Sequence, residues 1–208
     1  MTRSKGGLLI VITGASGVGK DSVTDGLITH HRTSHIGLRR LITCADRLPR
    51  PGENHGVDYY FVTPEELNRM HKNGELVENP QPTGTSRKAT TKKELLAVLS
   101  GENLVWRIDP YLASKVASGE FFEEQFANEH GKKLRAVTKV FCIRASSKVL
   151  TQRRKNRDGK TYNPREYRLR DKQEKPVLEK LRQISIVIEN REGLLTTAIE
   201  DVITQISS

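Results

Sequence analysis

Gly14-Ala15-Ser16-Gly17-Val18-Gly19-Lys20 sets glycines and a lysine at GxxxxGK spacing, directly after the apolar run Leu8 to Thr13. Glycines so spaced let backbone N–H groups turn inward around an anion, and a helix begun at Lys20 adds its partial positive charge. The lysine then reaches the β- and γ-phosphates of a nucleotide. This is phosphate-binding chemistry of the P-loop kind. The Ser or Thr that usually follows, and whose hydroxyl ligates Mg²⁺, is replaced by Asp21. Asp21 is the candidate metal ligand, and Ser22, about 100° further round the helix, is second to it.

Two other groups suit anions. Arg47 and Arg50, three apart, precede a rigid Pro51-Gly52 turn and Tyr59, and guanidinium forks with a phenol hydroxyl can grip a phosphate. A charged surface loop has the same composition. The third group is a basic segment: Arg144 to Arg182 holds fourteen Lys or Arg and five Asp or Glu, so almost the whole formal charge of +10 lies there. A solvated helical face, a nucleic-acid stripe, or arginines closing on nucleotide phosphates would each produce it. RNA-reading aromatic motifs are absent, which disfavours the second.

Elements that position these groups can be read from pattern. Leu8–Thr13 is a short apolar, β-branched run of the kind buried on both faces of a sheet. Further strands are expected at Leu38–Cys44, Asp58–Val62, Asn103–Asp109, Thr138–Ala145 and Ser185–Glu189. Thr63-Pro64-Glu65-Glu66 combines an N-cap, a proline at the first helical position and a capping-box glutamate, which predicts a helix over Pro64–His71. From Leu195 to Ile206 one apolar face repeats at helical period. Strands alternating with helices define an α/β domain with a mainly parallel sheet, interrupted by an inserted lobe over about 46–97. Arg153 and Arg157 share one helical face; Asp158-Gly159 breaks that helix, and Asn163-Pro164 starts another carrying Arg165, Arg168 and Lys172. Few apolar positions interrupt this stretch, which reads as a mobile basic lid over about 153–168. Trp106, within a strand, is expected in the core.

The 208 residues suit one domain. Cys44 and Cys142 lie far apart with no CxxC or Cys/His cluster, so no disulfide framework or zinc site is expected. The leading apolar run is too short for a signal-peptide core or a membrane span. The expectation is a cytoplasmic protein, monomeric or homodimeric, acting on small nucleotides, with no nucleic acid and no membrane partner.

Arg47 to Val62 resembles the RxPRxGExxGxDYxFV segment that follows the P-loop in the guanylate kinase family. The likeness continues through Gly74–Glu78, Ile108-Asp109, Leu150–Arg153, Arg157 and Arg168-Leu169. It implies a P-loop NTPase three-layer α/β sandwich with a lobe for the nucleoside monophosphate and a lid. It also implies ATP and Mg²⁺, with GMP as acceptor.

By the same resemblance, Gly14, Ala15, Ser16, Gly17, Val18, Gly19, Lys20, Asp21 and Ser22 bind ATP, with Asn190 beside the adenine. Arg47, Arg50 and Tyr59 hold the acceptor phosphate. Thr43, Glu78 and Asp109 lie on the acceptor side, Glu78 reading guanine. Lys20, Arg153, Arg157 and Arg168 carry the transferring charge. The chain departs from the pattern at Ala45-Asp46 (usually Thr-Thr), at Arg87-Lys88-Ala89 (usually Tyr-Gly-Thr or Tyr-Gly-Ser) and at Arg107 (usually acidic). Arg87 is expected to bind phosphate in place of the tyrosine.

The sequence leaves two alternatives open. Gly19-Lys20-Asp21-Ser22 is also similar to the ribose 1,5-bisphosphate phosphokinases. Non-catalytic guanylate-kinase-like modules share the fold but generally lack an intact P-loop.

Overall fold

Every residue of Leu9–Thr13 is buried, as an apolar run ended by glycine requires of a central strand. The computed structural model describes residues 7–33, 37–83, 86–126 and 129–207. In chain order the strands are β1 (Leu9–Thr13), β2 (Leu38–Arg40), β3 (Cys44–Ala45), β4 (Tyr60–Phe61), β5 (Gln81–Thr83), β6 (Ser86–Ala89), β7 (Asn103–Arg107), β8 (Thr138–Arg144) and β9 (Ile186–Glu189). The helices are α1 (Lys20–Thr33), α2 (Pro64–Lys72), α3 (Lys92–Leu96), α4 (Pro110–Ser118), α5 (Glu120–Gln125), α6 (Glu129–Ala136), α7 (Ser147–Asp158), α8 (Pro164–Ile184) and α9 (Leu195–Ser207). They fall into two units, one of Leu8–Arg40 with Glu102–Ser208, the other built on Leu41–Gly101.

The first unit carries a parallel sheet in the order β2-β7-β1-β8-β9. The connection leaving β1 runs to β2 on one side, and the one leaving β7 passes β1 to reach β8 on the other, so the carboxyl end of β1 lies at a switch point, where open α/β sheets bind ligands. One face packs on α1 and α9: Ile10, Ile12, Val105, Phe141, Ile143 and Ile188 meet Val23, Leu27, Ala198 and Val202. Toward the other, Trp106 is buried with its ring 5.5 Å from Phe121, and α4 lies against α8. The result is the expected α/β architecture with helices flanking a parallel sheet.

The second unit is a mixed sheet, β4-β3-β6-β5, over a small core of Cys44, Leu67, Leu76 and Ala89. Thr63 caps α2 as expected, its hydroxyl accepting from Glu66 N at 3.1 Å.

The run Leu38–Cys44 is not one strand. Leu38–Arg40 pairs with β7 in the parallel sheet, while Cys44–Ala45 pairs with β4 and β6 in the mixed sheet. Residue types suited to a strand do not specify which neighbour takes each half. Both cysteines are free and buried, and burial pushes the Cys44 thiol up to about 11. Among the described residues no helix is long and apolar enough to cross a membrane.

Candidate functional site

The turn between β1 and α1 is feasible only with glycine. At Gly14 (φ +137°) a Cβ would sit 2.3 Å from the Ile143 carbonyl oxygen, and at Gly19 (φ +93°) 2.5 Å from Asn190 Nδ2. Side-chain donors take up the loop's carbonyls. Asn190, buried after β9, donates from Nδ2 to Val18 O at 2.7 Å. Arg153 donates to the same oxygen at 3.1 Å and to Arg191 O at 3.3 Å. Arg154 donates from Nε to Ser16 O at 2.9 Å. With these acceptors satisfied, the loop is fixed in a shape whose N–H groups can serve an anion.

Lys20 Nζ donates to the carbonyls of Gly14 at 2.6 Å and Ala15 at 3.0 Å. Burial first, and then the nearby positive charges of Arg107 and Arg170, bring its pKa down from 10.5 to about 8. An ammonium beside other cations, in little water, is matched by a polyanion.

Sequence reasoning singled out Arg153 and passed over its neighbour Arg154. It is 3% exposed, and its two terminal nitrogens each donate to Asp171 of α8 at 2.7 Å. Its guanidinium lies 4.6 Å from the Tyr167 ring centroid. One buried arginine thus ties α7, α8 and the phosphate loop together. The basic segment is therefore not a uniformly solvated face. Arg157 is bound to Asp158 at 2.8 Å and to the Tyr167 hydroxyl, whereas Arg168 is exposed and makes no ion pair among the described residues.

Asp21, the expected metal ligand, is engaged by an arginine. Its carboxylate is paired with Arg107 at 2.6 Å, and no group of three or more metal-ligating side chains occurs among the described residues. Asp21 is thus turned to an arginine and not to other metal-ligating side chains. Asp109, at the other end of this strand-to-helix turn, caps α4 by accepting from Tyr111 N at 2.8 Å and Leu112 N at 3.1 Å. Ser22 is exposed on α1.

In the other unit, Arg47 is held by Glu53 through a bidentate pair at 2.6 and 2.8 Å. Its guanidinium lies against the rings of Tyr59 and Phe61. Glu53, which also accepts from Arg50 N at 2.8 Å, is lowered to about 2, first by the Arg47 hydrogen bonds and then by that backbone N–H. Arg50 itself is exposed. Glu78 accepts from Thr90 N at 2.7 Å, and Thr43 is half-buried, its carbonyl accepting from Tyr60 N. Glu94, which sequence did not single out, is buried and accepts from the Tyr60 hydroxyl at 3.0 Å.

Arg87 does not stand free to bind phosphate. Its Nε donates to Asp46 at 2.6 Å, Nη1 to Asn68 at 2.7 Å and Nη2 to Pro64 O at 3.2 Å. Two of the departures, Asp46 and Arg87, thus compensate each other, as Asp21 and Arg107 do in the first unit. Because the Asp46 side chain is only 5% exposed, Arg87→Ala leaves a carboxylate with little access to water. The expected result is a lowered unfolding midpoint for that variant. Asp46→Thr with Arg87→Tyr should recover most of it, with a coupling of about 1–3 kcal/mol in a double-mutant cycle read by denaturant unfolding.

A glycine-rich loop at the carboxyl end of a central parallel strand, its lysine at the start of the next helix, defines a P-loop nucleotide-binding protein. The guanylate kinase family model matches residues 7–110. The chain is 41% identical over 102 residues to the guanylate kinase of Streptomyces kasugaensis, covering 49% of this chain and 47% of that one. It is 30% identical over 159 residues to that of Malacoplasma penetrans, covering 76% and 74%. The crystal structure of guanylate kinase from Anaplasma phagocytophilum superposes with a TM-score of 0.55 at 18% identity over 97% of this chain and 85% of that one, a likeness of fold. The chain belongs to the guanylate kinase family. Its matches span about half the length of the streptomycete relatives.

Proposed function

We propose that this protein transfers the γ-phosphoryl group of ATP to a nucleoside monophosphate, with GMP as the acceptor. The observation that carries the reading is the P-loop braced by Asn190, Arg153 and Arg154, with Lys20 at its mouth, in a chain of this family. ATP enters with its own Mg²⁺ as substrate. Lys20 and the loop N–H groups neutralise the donor phosphates, and Arg153, Arg157 and Arg168 supply charge to the transferring group. Arg47, Arg50 and Tyr59 take the acceptor phosphate. A carboxylate at Glu78 accepts from N1–H and the exocyclic amine of guanine together, which adenine cannot reciprocate. No covalent intermediate is needed, because position and charge neutralisation carry the chemistry.

Coupled ADP release over GMP, dGMP, AMP, UMP and ribose 1,5-bisphosphate tests the acceptor. GMP is expected to have the highest kcat/KM. A preference for the sugar bisphosphate would refute the base-reading role of Glu78, and ATP binding without turnover of any acceptor would favour a binding module.

Lys20 gives a pH signature. Its ammonium is present below a pKa of about 8 and lost above it, so kcat/KM for ATP should fall as pH rises through about 8. In Lys20→Arg that inflection should vanish, because a guanidinium does not titrate there. Stability runs the other way. The folded value lies below the ordinary 10.5, so the cost of burying the charge is full below about 8 and disappears between about 8 and 10.5.

A further inference from the structure

Successive residues of a strand face opposite sides, so in β6 Arg87 and Lys88 cannot serve the same site. Arg87 turns to Asp46, Asn68 and the start of α2. Lys88, opposite Ala45 in the register of β3 and β6, sends its ammonium to the Tyr59 hydroxyl at 2.6 Å. Its Nζ is 4.2 Å from the centroid of the Tyr59 ring, and the Arg47 guanidinium is 5.4 Å from the same centroid. Two cations therefore share one ring, within about a Debye length of each other, and water screens them incompletely. Glu53 balances Arg47 through its bidentate pair. Lys88 has no carboxylate partner among the described residues, and neither does the exposed Arg50 side chain.

A phenol hydroxyl both donates and accepts. Because Lys88 donates to the Tyr59 oxygen, the Tyr59 proton is left for an outside acceptor. The ammonium has further N–H donors of its own. A group that accepts from a phenol and is held by an unbalanced ammonium is an anion with several oxygens.

We propose that Lys88, and not Arg87, completes the acceptor subsite with Arg50 and Tyr59, and that this subsite takes the dianion of a phosphate monoester. This rests on the reading of Arg47, Arg50 and Tyr59 as the acceptor grip. Lys88 is then a binding residue for the phosphate and is indifferent to the base.

Titration calorimetry on the full chain, wild type against Lys88→Met and Lys88→Arg, tests this with GMP, ribose 5-phosphate and inorganic phosphate, with unfolding midpoints measured in parallel. Lys88→Met should weaken GMP and ribose 5-phosphate by about 10- to 100-fold, the loss of one charge-assisted hydrogen bond, and Lys88→Arg should retain most of the affinity. Equal affinities in wild type and Lys88→Met would overturn the proposal, whether or not the midpoint falls. So would a wild type that binds none of the three phosphates. If the phosphates bind in a Lys88-dependent way but GMP is not turned over, the subsite stands and the kinase reading falls.

Discussion

Lys20→Ala is expected to slow phosphoryl transfer by about 10³-fold, the loss that follows removal of a preorganised charge from a developing anion. The protein should remain folded. Among the described residues the Lys20 ammonium donates only to carbonyls at its own turn, Gly14 O and Ala15 O, and the loop carbonyls at Ser16 and Val18 are held by other side chains. Its depressed pKa means that the folded protein disfavours its charge, so removing it should not lower the unfolding midpoint near neutral pH. Steady-state kinetics with ATP and GMP, beside a thermal unfolding scan, reads both halves. A variant with full activity would remove Lys20 from the mechanism, and an unfolded one would remove the independence claimed for the loop.

Asp171→Ala should be the most destabilising change at the site, and worse than Arg154→Met. The pair is asymmetric: the Arg154 side chain is 4% exposed and the Asp171 side chain 43%. Taking away the aspartate leaves a guanidinium buried without its counter-charge, a loss of about 3–5 kcal/mol. Taking away the arginine leaves a carboxylate that water can reach and one unpartnered carbonyl at Ser16, about 1–3 kcal/mol. Denaturant unfolding of the two variants gives the order directly. Arg154→Met should also raise KM for ATP more than KM for GMP, because Arg154 acts through the phosphate loop. Equal effects on both would make it a general packing residue.

The phosphate loop, β1 and the cap of α2 were legible because each depends on neighbours close in sequence: glycine spacing, an unbroken apolar run, a threonine before a proline. The departures at Asp46, Arg87, Asp21 and Arg107 were visible too, but their meaning was not. Asp46 and Arg87 are separated by 41 positions and meet only across strands. That both depart from the family pattern was the available signal that they answer each other. Arg153 and Arg154 are adjacent and chemically identical; which one is buried depends on where α8 places Asp171. Glu53 lay inside the quoted family segment, and its role as partner of Arg47 follows from the turn that folds it back. Strand alternation alone would have separated Arg87 from Lys88, had the strand been recognised.

The proposed reaction is transfer of a phosphoryl group from ATP to GMP by this one chain. Incubating the intact protein with ATP, Mg²⁺ and GMP and following the phosphorus resonances reads the transfer itself. ADP and GDP should appear in equal amounts, and neither should form when GMP is left out. ADP formed with inorganic phosphate in place of GDP, or no consumption of GMP by a folded, ATP-binding protein, would contradict the claim.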